Sequence, residues 1–178
     1  ADGSASNAAS IVDSQGQLHI AWSDNAESDD NLDYDIYHRT MNPQTGVLSA
    51  ITIVSNSNVI DSDPSLALAE DDSIHMSWTR IDNEAGEIYY ARWDAETNWS
   101  EPLLVSDSMD DDNSAFSSIA TDSNSDPHIT WQDDGVIIAS SGPVFPPCTD
   151  GAGNLQALDK DVYYRSILDG VLSPHVLI

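Results

Sequence analysis

An all-β chain built from three copies of a four-stranded unit is what the sequence predicts. A short phrase recurs three times, as His19-Ile20-Ala21-Trp22, His75-Met76-Ser77-Trp78 and His128-Ile129-Thr130-Trp131. Each phrase is followed by polar residues, then by Ile36-Tyr37, Ile88-Tyr89 or Val162-Tyr163, and each copy closes on an apolar run at 51–54, 103–105 or 176–178. No apolar pattern is sustained at helical spacing, and Gly, Pro, Asn and Asp punctuate the chain every few residues. Repetition at a period of about 50 residues points to a solenoid, an array or a propeller.

The first strand of each copy is short and rich in small residues, at 9–12, 65–68 and 118–121. Turns of Asp, Asn, Ser and Gly type follow at 13–17, 69–73 and 122–126, with Asp13, Ala69 and Asp122 six residues before each His. The second strand carries the His-x-x-Trp phrase. Period-two alternation puts Leu18, Ile20 and Trp22 on one face and His19, Ala21 and Ser23 on the other, and both later copies repeat the division. One face is bulky and the other is His plus small residues, as a sheet stacked between two similar sheets requires. The third strands fall at 35–40, 87–93 and 161–167, and tight links at 42–46, 94–98 and Asp169-Gly170 lead to the fourth. Four antiparallel strands followed by a return to a new first strand describe a propeller blade. The blades span approximately 5–55, 63–106 and 115–178, in a single propeller unit covering 1–178.

The third copy is longer: 31 residues separate Trp131 from Tyr163, against 14 and 10 in the first two copies. The surplus, 134–158, holds Val136-Ile137-Ile138, Pro146-Pro147-Cys148 and Gly151-Ala152-Gly153. It reads as a lid, a subunit contact or a tolerated insertion.

Composition bounds the function. A hydrophobic fraction of 40% over 178 residues supports a real core. With 31 acidic against 5 basic residues, the net charge of −26 repels nucleic acid and anionic membranes. Divalent cations, a saline environment or a basic partner fit it, and so does acid that serves only solubility. Cys148 is the only cysteine, so the chain forms no internal disulfide. No apolar run approaches the roughly 18 residues of a membrane span. The start at Ala1-Asp2-Gly3-Ser4, without Met, and the abundance of Asp, Asn and Ser suit an exported, secreted or cell-surface bacterial product.

The run from Ser118, SIATDSNSDPHITWQDD, and the run from Ile88, IYYARWDAETNWSEPLLVSD, resemble secreted bacterial β-propeller repeats of the sialidase-like, BNR-repeat type. Blades of that type carry a D-x-x-x-x-W-S turn before the fourth strand. The segment 94–100 is a degenerate version, Asp169-Gly170 is a shorter one, and 42–46 departs furthest. The resemblance implies blade architecture and leaves chemistry open. Sialidase chemistry would add an arginine cluster for a carboxylate, a Tyr with a neighbouring acid, and an Asp acid/base. The arginines are Arg39, Arg80, Arg92 and Arg165, and two of them, Arg39 and Arg165, share one repeat position with Ala91. That placement points to blade structure and away from sialidase activity.

The candidate ligand-binding residues are those where copies differ or a guanidinium is on offer: His38, where the other copies have Tyr90 and Tyr164; Arg80, where they have Asp24 and Asp133; and Arg39 and Arg165. No nucleophile–base pair stands out, so no catalytic residue is assigned. His19, His75 and His128 recur one per blade and read as structural, each satisfying a buried hydrogen bond. The candidate calcium ligands are Asp29, Asn31, Asp33 and Asp35, which alternate before a strand, with Asp159 and Asp161 as the third-copy echo. The full EF-hand pattern is absent, and a solvated acid run is the plain alternative. Asp61-Ser62-Asp63 and Asp110-Asp111-Asp112-Asn113 fall in inter-blade links and read as solvent-facing charge.

Three blades are too few to close, since propellers hold 4–8. Either two chains complete a six-bladed ring as a two-fold homodimer, or the chain belongs to a longer propeller. The expected function is a secreted acidic binding or structural module that self-associates and engages carbohydrate or protein, with calcium as a possible cofactor. The rivals are a glycoside hydrolase or polysaccharide lyase on the assembled ring, and a fragment of a larger surface propeller.

Overall fold

The computed structural model describes residues 3–25, 33–82, 85–106, 113–133 and 161–178. Asp29, Asn31, Asp159, residues 110–112 and the insertion 134–158 lie outside the described residues. Within them the chain is all-β, in three antiparallel sheets with no helix.

Blade 1 is β1 (Ser6–Val12), β2 (Leu18–Asp24), β3 (Asp35–Met41) and β4 (Thr52–Ile53), paired in that order. Blade 2 is β5 (Ile60–Leu68), β6 (Ile74–Asp82), β7 (Ala85–Asp94), β8 (Asn98–Trp99) and β9 (Leu103–Leu104). Blade 3 is β10 (Ala115–Thr121), β11 (Pro127–Asp133), β12 (Asp161–Leu168), β13 (Val171–Leu172) and β14 (Val176–Leu177). The fourth-strand position repeats in register: Tyr37 opposes Ile53, Tyr89 opposes Leu104 and Tyr163 opposes Leu177. The first strands begin earlier than the sequence pattern suggested. The early part of each is set off by a β-bulge, which interrupts the period-two signal.

The blades stack through unlike faces. Ile74, Met76 and Trp78 of blade 2 are fully buried, and Met76 and Trp78 pack with Ala21, Ile36 and Val54 of blade 1. Ile129, Trp131 and Ile167 of blade 3 pack in the same way on Ala67, Ile88, Tyr90 and Val105 of blade 2. Each such side chain contributes about 1.5–3 kcal/mol by leaving water. Burial records the direction of the stack. The core of β6 is buried on both faces, β2 only on its His19-Ala21-Ser23 face, and β11 only on its Ile129-Trp131 face. Within each blade the Trp lies against the Tyr directly opposite, with ring centroids 5.8 Å apart for Trp22–Tyr37, 6.0 Å for Trp78–Tyr89 and 6.0 Å for Trp131–Tyr163.

The recurring His is a structural connector. His75 Nδ1 lies 2.8 Å from the Tyr90 hydroxyl and its Nε2 lies 3.0 Å from Ser73 Oγ. Ser73 Oγ donates to Asp71 Oδ1 at 2.6 Å, so Nε2 is the donor to Ser73. Burial holds the imidazole neutral, and Nδ1 then accepts from the Tyr90 hydroxyl. In blade 3 His128 Nδ1 is 2.7 Å from Tyr164 Oη, with Asp122 3.6 Å from Nε2. In blade 1 His38 replaces the tyrosine: its Nε2 is 3.1 Å from His19 Nδ1, and Asp13 stands 3.5 Å from His19 Nε2. Burial lowers all three of the most enclosed imidazoles, His75 to about 4 and His38 to about 3, the latter helped by His19, while His19 itself moves down against the pull of Asp13.

The third-to-fourth turns are more alike than their sequences. Asp94 Oδ1 accepts from the backbone N–H groups of Glu96 and Thr97, and Asn42 Oδ1 accepts from those of Gln44 and Thr45. The turn that departs furthest in sequence thus keeps the side-chain cap of its neighbour. Ser49, Ser100 and Ser173 follow these turns, and each exchanges an Oγ and an N–H bond with Thr40, Arg92 or Ser166 on the third strand.

Asp61 corrects the reading of 61–63 as a solvated link. It lies inside β5 and is fully buried. Its Oδ1 accepts from Trp78 Nε1 at 2.8 Å and Arg80 Nε at 2.8 Å, and its Oδ2 from Arg80 Nη2 at 3.1 Å and Ser57 Oγ at 2.7 Å. Its backbone carbonyl accepts from Ser23 Oγ of blade 1 at 2.6 Å, pinning the two blades together.

Two outcomes follow. Asp61→Ala strands the Trp78 N–H and the Arg80 guanidinium, and should cost about 3 kcal/mol or more in urea unfolding. In an NMR titration, the imidazoles of His38 and His75 should stay neutral down to about pH 5. Their pKa is depressed on folding, so the stability they contribute is complete above about pH 6.5, the unfolded value, and is lost as pH falls towards the folded values. Midpoints near 6.5 in the folded protein would contradict their burial.

Candidate functional site

The antiparallel order sorts the blade ends. The first-to-second and third-to-fourth turns share one end. The starts of β1, β5 and β10, the ends of β2, β6 and β11, and the starts of β3, β7 and β12 share the other. The residues singled out in sequence fall mostly at this second end: Asp33, Asp35, Asp161 and Arg80.

Here the first strands of the three sheets do something the sequence reading did not anticipate. β1, β5 and β10 each carry a bulge, and the bulged residues lie opposite Trp22, Trp78 and Trp131. One residue of each bulge is left-handed: Asn7 at φ 51°, Asp63 at φ 54° and Phe116 at φ 55°. Asn and Asp tolerate that region, whereas a Phe held there costs about 1–3 kcal/mol. The three bulges meet in an open cleft of about 350 Å³, lined by Asn7, Ala8, Asp63, Pro64, Ser65, Phe116 and Ser117. Phe116 is 64% exposed, which is unusual for a strained aromatic. Its N–H donates to Thr79 Oγ1 at 3.2 Å, and Ser117 Oγ meets Ser77 Oγ at 2.9 Å, so blade 2 holds the rim in place. Asp63 accepts from Ser62 Oγ at 3.0 Å. The cleft therefore offers an aromatic face, an amide and a carboxylate within one hollow.

The sequence-selected residues do not converge on it. His38 is buried between blades 1 and 2, beside His19, Trp93 and Trp99. Arg80 is spent on Asp61 and lies 4.1 Å above the Tyr89 ring. Arg165 donates to the Val105 carbonyl across the seam between blades 2 and 3. Arg39 donates to its own blade's Ser49 carbonyl at 2.7 Å and borders the uncovered face of blade 1. Arg92 pairs with Asp71 at 2.9 Å on the surface.

Asp35 is a clasp within blade 1. Its Oδ1 accepts from Ser55 Oγ at 3.0 Å and from Ser57 N–H at 2.8 Å, and burial raises its pKa against these hydrogen bonds. Glu87 accepts from Ser106 in the same way in blade 2. Asp33 has a buried Oδ1 without a hydrogen-bond partner. Asp161 opposes Asp133 at the start of β12. Among the described residues no three His, Cys, Asp or Glu side chains gather in a way that could hold a metal ion.

The missed residues are Asn7, Asp63 and Phe116. Their signal was the Pro64 inside a strand and the shared repeat position of all three, which aligning the copies on their Trp residues exposes.

No protein-family model matches the sequence, and no curated protein matches it. Solved structures do. A Hadza microbial sialidase matches at 13% identity and a TM-score of 0.60, over 93% of this chain and 35% of its own. A PL25 ulvan lyase, solved with -[GlcA(1-4)Rha3S]- bound, matches at 11% identity and a TM-score of 0.61, over 93% of this chain and 42% of its own. An endo-1,4-beta-xylanase from Bacteroides thetaiotaomicron matches at 11% identity and a TM-score of 0.56, over 98% of this chain and 58% of its own. The chain thus spans between about a third and three fifths of the length of these structures. At such identities the likeness is one of fold: these three sheets are blades of the sialidase-like propeller type.

Proposed function

We propose that the chain is a glycan-binding propeller segment, and that the cleft at the three first-strand bulges is where sugar binds. The single observation that carries this reading is that an exposed Phe116, held in the left-handed region, lines one cleft together with Asp63 and Asn7. A pyranose has a C–H face that lies on an aromatic ring and hydroxyls that donate to a carboxylate and exchange bonds with an amide. The names of the matching structures, a sialidase, an ulvan lyase and a xylanase, lend support, since each denotes an enzyme acting on carbohydrate.

The ligand favoured is neutral. The net charge of −26 repels uronates and sialate, and the described arginines are each engaged away from the cleft. Binding is favoured over hydrolysis because Asp63 is the one carboxylate among the described residues that line the cleft, and glycoside hydrolysis ordinarily uses two. The enzyme reading stays as the alternative for a ring completed by further blades. Secretion belongs to the same proposal, since the composition that suggested export suits a protein that meets polysaccharide outside the cell. Calcium at Asp33, with Asp29, Asn31, Asp159 and Asp161, is the cofactor proposal. Asp35 is already occupied by Ser55 and Ser57.

Calorimetric titration tests the reading. Neutral oligosaccharides such as xylo-oligomers should bind, glucuronate and sialic acid should not, and Phe116→Ala should weaken binding at least about tenfold, or about 1.4 kcal/mol. Full affinity in Phe116→Ala and Asp63→Asn, or no binding of neutral glycans by the parent, would overturn it. Running the same titration and a thermal melt in EDTA tests the cation: a lowered melting temperature supports calcium, and an unchanged one removes it.

A further inference from the structure

The two outer faces of the three-blade stack are unlike and mutually fitted. Among the described residues nothing covers the bulky face of blade 1: Leu18, Ile20 and Trp22 are only half-buried, whereas their blade 2 counterparts Ile74, Met76 and Trp78 are sealed. A hollow of about 390 Å³ with mainly apolar walls opens there, between Ile20, Trp22 and Arg39 and the first strand at 5–8. Among the described residues nothing covers the small-residue face of blade 3. His128, Thr130 and Gln132 are half-buried where His75, Ser77 and Thr79 are enclosed.

We infer that the bulky face of blade 1 is covered by the small-residue face of blade 3 from a second copy of this chain, and the reverse, closing a six-bladed two-fold ring. The chain's own two seams say what covers such a face, because each presses a bulky face onto a small one. The seams also supply the register. Val54, Val105 and Ile178 hold one position, each with its N–H on the carbonyl of Ile36, Ile88 or Val162. At the blade 1–2 seam Val54 packs with Ala91. At the blade 2–3 seam the Val105 carbonyl accepts from Arg165. Arg39 stands at the same strand position, opposite Ile20 as Arg165 is opposite Ile129. The third seam would therefore bring Arg39 onto the Ile178 carbonyl of the other copy, away from its present bond to Ser49.

The turns follow the same rule. Ser14 binds Asp72 across the first seam, through N–H at 2.9 Å and Oγ at 2.8 Å, and the Asp71 N–H reaches Ser125 Oγ at 3.2 Å across the second. Six blades lie inside the range in which propellers close, and a two-fold axis along the channel satisfies both open faces at once. This inference is independent of the glycan reading and survives its failure.

The test is molar mass by light scattering across a wide concentration range at physiological salt, where the Debye length of about 8 Å limits the repulsion between acidic chains. The expected mass is twice the chain's 19.2 kDa. Thr130→Arg and Arg39→Glu alter faces that are open in a single chain, so each should keep its near-ultraviolet circular dichroism while falling to a single-chain mass. A parent that stays a monomer throughout, or a pair that both variants leave intact, overturns the inference.

Discussion

Contact between a bulky sheet face and a small-residue face is the constraint on which the molecule depends. A Trp at the centre of one sheet needs a facing sheet with room for it. Ala21 provides that room opposite Trp78, and Ser77, fully buried, holds the same repeat position in blade 2. Close packing at interior density makes the arrangement directional, because two bulky faces would clash and two small ones would leave a void. The order of blades, the lean of each sheet and the difference between the two outer faces all follow from it.

Polar groups within the seams are held by chains that repeat with changed members. The His of the second strand reaches a hydroxyl in blades 2 and 3 and an imidazole in blade 1. Its other nitrogen faces Asp13 or Asp122 directly, and Asp71 through Ser73. The blade 2 turn has Ala69 where the others have Asp13 and Asp122, and its acid stands two residues later, at Asp71. Asp61 and Arg80 are a similar exchange, a buried ion pair where blade 3 has Ser114 bonded to Asp133. Such pairs add specificity of placement more than net stability.

The face division, the strand order and the structural role of the histidines were legible in sequence because each rests on a local period or on repetition. The bulges were not. A bulge is a property of register between two strands, and residue type predicts it only where Asn7 or Asp63 stands, while Phe116 argues against it. Asp61 misled for a related reason. It lies in an acidic run, and only its pairing opposite Arg80 shows that the carboxylate is enclosed. The anomaly at Arg80 was visible as a break in the repeat, but its meaning lay across the sheet. Asn42 shows the converse, a turn that differs from the 94–98 turn in sequence and makes the same hydrogen bonds.

The proposed glycan site lies where the repeats stop agreeing in side chain but still agree in backbone. The three left-handed positions share one geometry and carry an amide, a carboxylate and an aromatic ring. The central claim remains the need for room between faces, and Ala21 tests it most directly, since it is fully buried against Met76 and Trp78. Urea unfolding of Ala21→Leu should show a loss of about 1–3 kcal/mol from overpacking. Unchanged or increased stability would mean that the seam holds space the stacking does not need, and would contradict the account.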